Sequence, residues 1–164
     1  MQQLDEADDT NNVIEDDVTV SVTLTRAPLP DLAIGELELL TPLVANQPLT
    51  FTVWITNTGT VTASETVSVA LFINPSEVYT THIPLEQSAA SAAVANLGTG
   101  TSQLITLTLP LGLTDVPTST LVYAMVDSGR TTAETNETNN LTSRTFTTTP
   151  PIPPRRLYLP LVVR

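Results

Sequence analysis

The chain has 164 residues, a length that suits one domain of ordinary size with additional segments. Its net charge is −11, from 17 acidic residues against six arginines and no lysine, so nucleic acids and anionic membranes are poor candidates for partners. The lack of cysteine excludes disulfides and thiolate-bound zinc.

The first 26 residues are predicted to be the C-terminal remnant of a preceding repeat. Residues 6–12 read Glu-Ala-Asp-Asp-Thr-Asn-Asn, and residues 134–140 read Glu-Thr-Asn-Glu-Thr-Asn-Asn, about one domain length further on. A stretch rich in Thr follows both copies, so residues 13–25 are expected to be the last strand of the earlier repeat. Residues 1–5 have no basic start and no apolar core, so a signal peptide is expected upstream, on a longer parent chain.

Period-two alternation predicts strands through the middle of the chain. Residues 49–56 alternate Leu, Phe, Val and Ile with Thr, Thr, Trp and Thr, a pattern that buries one face of a strand and wets the other. Further strands are predicted at residues 31–40, 67–73, 101–109, 121–126 and 141–148. Residues 86–95, rich in Ala and Ser, are interpreted as a loop insertion with one helical turn. The spacing favours an all-β, immunoglobulin or fibronectin III-like sandwich of about seven strands.

The C-terminal residues 149–164 differ from this core. Residues 149–156 are rich in proline, which predicts a stiff linker, and the apolar residues 157–163 are too few to span a bilayer. This tail is either an anchoring or sorting signal or a strand that adds to a sheet edge, and residues 13–25 are an equally good edge-pairing element. We expect at least one of the two to be ordered by pairing, including strand-mediated self-association between chains.

A polar turn before the last predicted strand is the one group of residues that resembles a chemical site. Its oxygen ligands come from carboxylates and amides: Asp127, Glu134, Asn136, Glu137, Asn139 and Asn140. Calcium takes six to eight such oxygens, which makes this a candidate calcium site. Alternatively, Asn and Asp shape the turn through local hydrogen bonds. No metal or other cofactor is required for the second interpretation.

An aromatic row is the other candidate site. Trp54, Phe72 and Tyr123 fall on the face opposite the aliphatic positions of their strands, where they form either an exposed row that stacks on glycans or part of a covered sheet. Nothing suggests catalysis, because the serines lie in no nucleophile elbow and no phosphate-binding or dinucleotide-binding glycine motif occurs. We therefore expect no enzyme.

Taken in order, several short motifs resemble the CARDB family, the cell-adhesion-related domain found in bacteria. They are Pro30-Asp31-Leu32, residues 47–53 leading to Asn57-Thr58-Gly59, Leu97-Gly98 before the strand at 101–109, residues 123–127, and residues 134–140. The resemblance covers residues 29–148 and implies a seven-stranded sandwich. A longer stretch between Ile73 and Leu97 departs from the family pattern and is a candidate private binding loop.

The resemblance also implies a function. Modules of this family usually occur in tandem on secreted or cell-surface proteins, so this chain is expected to be the last repeat of such an array, with a non-catalytic adhesion or spacer role. Its expected partners are the neighbouring domains of the parent chain and an extracellular protein or glycan. The alternative is an accessory module that binds glycan or peptide for a secreted enzyme.

Overall fold

The computed structural model describes residues 27–148, which form seven strands and one short 3₁₀ turn. The predictions for residues 1–26 and 149–164 lie outside the described residues. The strands are β1 (Leu32–Leu39), β2 (Leu49–Asn57), β3 (Val67–Ile73), β4 (Ala90–Val94), β5 (Ser102–Leu109), β6 (Ser119–Val126) and β7 (Leu141–Thr147). The 3₁₀ turn spans Leu85–Gln87.

These strands form two antiparallel sheets, which confirms the predicted β-sandwich. One sheet has the order β1-β2-β5 and the other the order β4-β3-β6-β7. The alternation in β2 predicts the inward face correctly, because Phe51 and Val53 are buried while Trp54 between two buried neighbours is half exposed. Burial of such aliphatic and aromatic side chains, at about 25 cal/mol per Å², drives the association of the two sheets.

The strand β4 corrects the prediction of a loop at residues 86–95. The 3₁₀ turn accounts for the expected helical turn, but Ala90–Val94 pairs with β3 as an edge strand. Alanine has a low preference for strands and a high preference for helices. Here the hydrogen-bonding edge of β3 decides the conformation, because tertiary pairing overrides a weak local preference.

The segment between β3 and β4 covers the outer face of the four-stranded sheet. Ile83 is fully buried there, and its backbone N–H lies 3.3 Å from the Met125 sulfur. Ile83 belongs to a second apolar cluster, separate from the core between the sheets, which we call the outer cluster. Its members are Ala70, Phe72, Ile83, Tyr123 and Met125. The longer stretch after Ile73 thus supplies a third layer over part of one sheet.

The chain enters and leaves the sandwich at opposite ends. The start of β1 lies beside the start of β7, where the Ile34 N–H donates to the Asn139 carbonyl at 3.0 Å. We call this the entry end. Strand β7 then runs the length of the sheet, so that Thr147 lies opposite Ser119 at the far end, the exit end. No helix within residues 27–148 has the length and apolarity needed to cross a membrane.

Candidate functional site

Asp127 organises the first part of the polar turn. It follows β6 directly and is 1% exposed, with a left-handed φ of 48° that Asp tolerates better than most residues. Its Oδ1 accepts hydrogen bonds from the Thr131 backbone N–H at 2.9 Å and the Thr131 hydroxyl at 2.8 Å. Its Oδ2 accepts the Thr132 N–H at 2.9 Å. Both carboxylate oxygens therefore hold the local turn.

Glu134 connects this turn to the first strand. Its side chain is 4% exposed, and its Oε2 accepts the Leu32 N–H at 2.5 Å. The Asn140 side-chain amide donates to Oε1 at 3.0 Å. Burial raises the pKa of Glu134 to about 7, because removal from water penalises the charged form. The two hydrogen bonds lower this pKa, and the nearby carboxylates of Glu137 and Asp127 raise it.

The two asparagines that precede β7 continue the same connection. The Asn139 side-chain amide donates to Asp31 Oδ1 at 2.8 Å, while Asn140 is 1% exposed and contacts Glu134 as described. The start of β1, at Asp31 and Leu32, is thus held by hydrogen bonds to Glu134 and Asn139, and Asn140 supports Glu134. We call this set of five residues the entry clasp.

Asn136 and Glu137 lie on the exposed side of the turn. Asn136 Oδ1 accepts the Thr138 N–H at 3.0 Å and the Thr138 hydroxyl at 2.7 Å. Glu137 Oε1 lies 3.3 Å from the Glu134 backbone N–H, which donates to it. These contacts are local and shape the loop.

The oxygen atoms available as ligands decide whether the turn can bind a metal. Within residues 27–148, no three His or acidic side chains come together as a metal ligand group. The carboxylates of Asp127 and Glu134 already accept hydrogen bonds from protein donors. The buried Oδ1 atoms of Asn139 and Asn140 have no hydrogen-bond partner, but the same two side chains donate to Asp31 and Glu134, so the carboxylates nearest to them are already engaged. The geometry favours a structural turn, and calcium binding stays the alternative.

Asn57, named above only as part of the motif Asn57-Thr58-Gly59, is a further residue of the entry end. Its side chain is fully buried at the end of β2. The amide donates to the carbonyls of Val61 at 2.8 Å and Leu97 at 2.9 Å, and Oδ1 accepts the N–H of Asp31 and Gly59. It therefore supports the start of β1 from the side opposite the entry clasp. The Asn-Thr-Gly motif marked the turn but not its burial.

Of the two alternatives for the aromatic residues, the structure places Phe72 and Tyr123 in a covered sheet and leaves only Trp54 exposed. Phe72 and Tyr123 are direct cross-strand partners on β3 and β6, but both are buried in the outer cluster. Tyr79, from the covering segment, packs edge-on against Tyr123 with ring centroids 6.3 Å apart. Trp54 lies on the other sheet and is 50% exposed, next to Leu104, which is 46% exposed. The alternation predicted correctly that these side chains point away from the core between the sheets. It did not show that a further segment covers one sheet, or that Trp54 lies on a different sheet from Phe72 and Tyr123.

The fold and its entry clasp define a seven-stranded β-sandwich module, a class that serves as a building block of larger proteins. The CARDB family profile matches residues 29–144, most of the chain, and the chain belongs to this family. A search of curated protein sequences found no match.

Two solved structures show the same fold. One is the CARDB domain of a Pyrococcus furiosus protein, crystallised in complex with di-metal ions. It is 23% identical, with a TM-score of 0.53, over 76% of this chain and 97% of that domain. The other is a domain of a provisionally named cell surface protein from Methanosarcina acetivorans. It is 22% identical, with a TM-score of 0.55, over 74% of this chain and 94% of that domain.

Proposed function

We propose that this chain is a non-catalytic module of a secreted or cell-surface protein and acts as a spacer in a tandem array, with an adhesive role for the array as a whole. The neighbouring domains of the parent chain are then its first partners. Membership of the CARDB family supports a module of this kind. The similarity to a provisionally named cell surface protein agrees with the location.

One observation carries the spacer role: entry and exit lie at opposite ends of the sandwich. A module whose chain enters and leaves at the same end adds little length to an array. Here the eight residues of β1 and the seven of β7 run from the entry end to the exit end. At about 3.3 Å per residue, each repeat adds at least about 25 Å along the strands. The second copy of the Glu/Asn motif, at residues 6–12, supports the tandem arrangement.

Small-angle X-ray scattering can test the spacer role. Proteins made of one, two and three concatenated copies of residues 21–148, one repeat length as the spacing of the two Glu/Asn motifs defines it, would be compared. We expect the maximum dimension to grow by at least about 25 Å per copy. A growth well below this, which means that the repeats fold back on each other, would refute the spacer role. Protease shaving of intact source cells tests the location, because an extracellular module is removed and an internal one is retained.

We also propose that the polar turn serves this function as a structural clasp without a required cofactor. Its buried carboxylate and amide hold the first strand against the last connection, at the point where the preceding part of the chain arrives. A rigid junction there would fix the direction of one repeat relative to the next.

A second candidate, an accessory module that binds glycan, rests on Trp54. Its side chain is half exposed on the outer face of the three-stranded sheet, beside Gly35, where any side chain would press against the Trp54 Cβ and carbonyl. Flat exposed rings of this kind stack on sugar faces or other apolar surfaces. Reproducible binding on a glycan array that Trp54→Ala abolishes and Leu104→Ala weakens would favour this function. The absence of binding to any immobilised glycan would refute it.

A further inference from the structure

We infer that this module is built to bear tension along the chain, because its first and last strands are locked to each other in a geometry that tension loads in shear. The inference rests on the proposed spacer function, since only a module between two attachments is pulled from both ends. It adds a mechanical activity to that function and assigns it to particular contacts.

The two terminal strands run side by side in the same direction. Ile34 of β1 contacts Asn139 just before β7, and Leu37 further along β1 accepts a hydrogen bond from Arg144 of β7 at 3.1 Å. Residue numbers therefore rise together along both strands, which makes the arrangement parallel. The strands belong to different sheets, so these contacts also close one open side of the sandwich.

Seven hydrogen bonds join the region of β1 to the connection before β7 and to β7 itself. Their donors and acceptors lie in residues 29–37 on one side and 134–144 on the other. They are Leu32 N–H to Glu134, Thr135 N–H to the Pro30 carbonyl, the Thr135 hydroxyl to the Leu29 carbonyl, Ile34 N–H to the Asn139 carbonyl, Asn139 to Asp31, and Arg144 to both Glu36 and the Leu37 carbonyl. The Arg144–Glu36 contact, at 2.8 Å, is also an ion pair.

Tension along the chain acts on these contacts in shear. A pull on the chain before residue 28 draws β1 toward the entry end, and a pull beyond Thr147 draws β7 toward the exit end. The two strands must then slide past each other, and the bonds between them share the load. In a peeling geometry the same bonds would open one after another. Forced unfolding is governed by the unfolding rate, so a shared load lengthens the lifetime of the folded module.

Asn57 and Gly59 strengthen the resistance at the entry end. Asn57 Oδ1 holds the Asp31 N–H, and the Gly59 backbone lies so close to the start of β1 that a Cβ at residue 59 would be 2.5 Å from Asp31 N. The start of β1 is therefore enclosed by the β2–β3 turn on one side and by the entry clasp on the other. The first strand cannot leave its position without breaking both sets of contacts.

Single-molecule force spectroscopy on the full 164-residue chain tests this inference. The sequence has no cysteine, so introduced cysteines give defined attachment points. Handles at Pro28→Cys and Thr147→Cys, both exposed positions, load the terminal strands in shear. Handles at Pro28→Cys and Thr99→Cys, both at the entry end, peel β1 sideways. We expect a lifetime at equal load at least about tenfold longer with the first pair. Equal or shorter lifetimes with that pair would overturn the inference.

Substitutions then connect the resistance to the contacts. Arg144→Met removes two bonds from an exposed side chain, and Asn139→Ala removes one. Each is expected to shorten the lifetime under the first pair about threefold to tenfold, since one hydrogen bond is typically worth a factor of this size and an exposed ion pair adds little to it. Thr56→Val is the matched control, because it removes a 2.7 Å bond to Ser102 between β2 and β5 only. A control effect as large as that of Arg144→Met would overturn the assignment.

The force measurement can support or refute the mechanical inference independently of the test of the spacer role. Scattering or cell-surface data can refute the spacer role while the lifetimes still differ between the two pulling geometries. Conversely, repeats that form an extended array can still unfold equally fast in both geometries, which would refute only the mechanical inference.

Discussion

Replacing Glu134 with glutamine is expected to remove a pH dependence of stability that the wild-type module has. The pKa of this buried carboxyl is raised from 4.5 to about 7 in the folded state. Between these two values the folded protein binds more protons than the unfolded chain, so the free energy of unfolding falls as the pH rises. The effect is complete near pH 8, about one unit above the folded-state pKa, where both states are ionised.

The size of the effect follows from the shift. A difference of one pKa unit corresponds to about 1.4 kcal/mol, so the rise to about 7 lowers the free energy of unfolding by up to about 3 kcal/mol between pH 4.5 and pH 8. Glutamine keeps the volume and one acceptor for the Leu32 N–H or the Asn140 amide, but it does not ionise. We therefore expect Glu134→Gln to cost about 1 kcal/mol at pH 5 and to be more stable than the wild type at pH 8.

Urea unfolding at pH 5 and pH 8, followed by circular dichroism, measures this difference. Glu137→Gln is the matched control, because it makes the same chemical change on an exposed neighbour and is expected to leave most of the pH dependence in place. If Glu134→Gln and the wild type lose the same stability between the two pH values, ionisation of Glu134 is not the cause.

Three further predictions concern packing and the polar turn. Gly112→Ala is expected to cost several kcal/mol, because a Cβ there would collide with a backbone carbonyl of the β1–β2 loop. Gly100→Ala, with a similar positive φ but nothing within 4 Å, is expected to cost only about 1 kcal/mol; equal losses in chemical denaturation would refute the collision. Phe72→Ala should cost about 3–5 kcal/mol and Trp54→Ala less than about 1, since only the first side chain is fully buried, and the reverse order would contradict the outer cluster. For the wild type, the thermal melt in excess EDTA is expected to coincide with the melt in millimolar calcium, and the same is expected for Glu137→Ala. A calcium-dependent rise that the substitution abolishes, about 2.7 kcal/mol at 100 times the dissociation constant, would instead establish a metal site.

The strands that were predicted from the sequence are those with a local signal. In β2, apolar residues alternate with threonine and give both the strand and its buried face. β4 has no such signal, because alanines and a serine are small on both faces and the strand forms only along β3. The sequence likewise left open whether Phe72 is exposed or covered, since its burial depends on Ile83 from a segment that has no regular pattern.

The candidate site, too, was predicted from the sequence only as far as its contacts are local. The Glu/Asn motif was recognised as one local cluster, and the structure indeed keeps these residues in one connection. Its main contact is not local, however, because Glu134 accepts from Leu32, which lies 102 positions earlier. A single sequence does not reveal such a pair. Composition alone could therefore not distinguish a calcium ligand from a carboxylate that holds a distant strand.

The entry clasp also constrains the order in which the module can fold. β1 pairs with β2, but its contacts in the entry clasp come from residues 134–140, so the first strand lacks part of its contacts until nearly the whole module has been synthesised. Folds dominated by such distant contacts close long loops before they gain stability, and they fold slowly. A nascent chain that has emerged only as far as β6 would lack the acceptor for Leu32 and the partner of Asp31. The entry clasp would thus stay open during synthesis and close only when the last strand arrives.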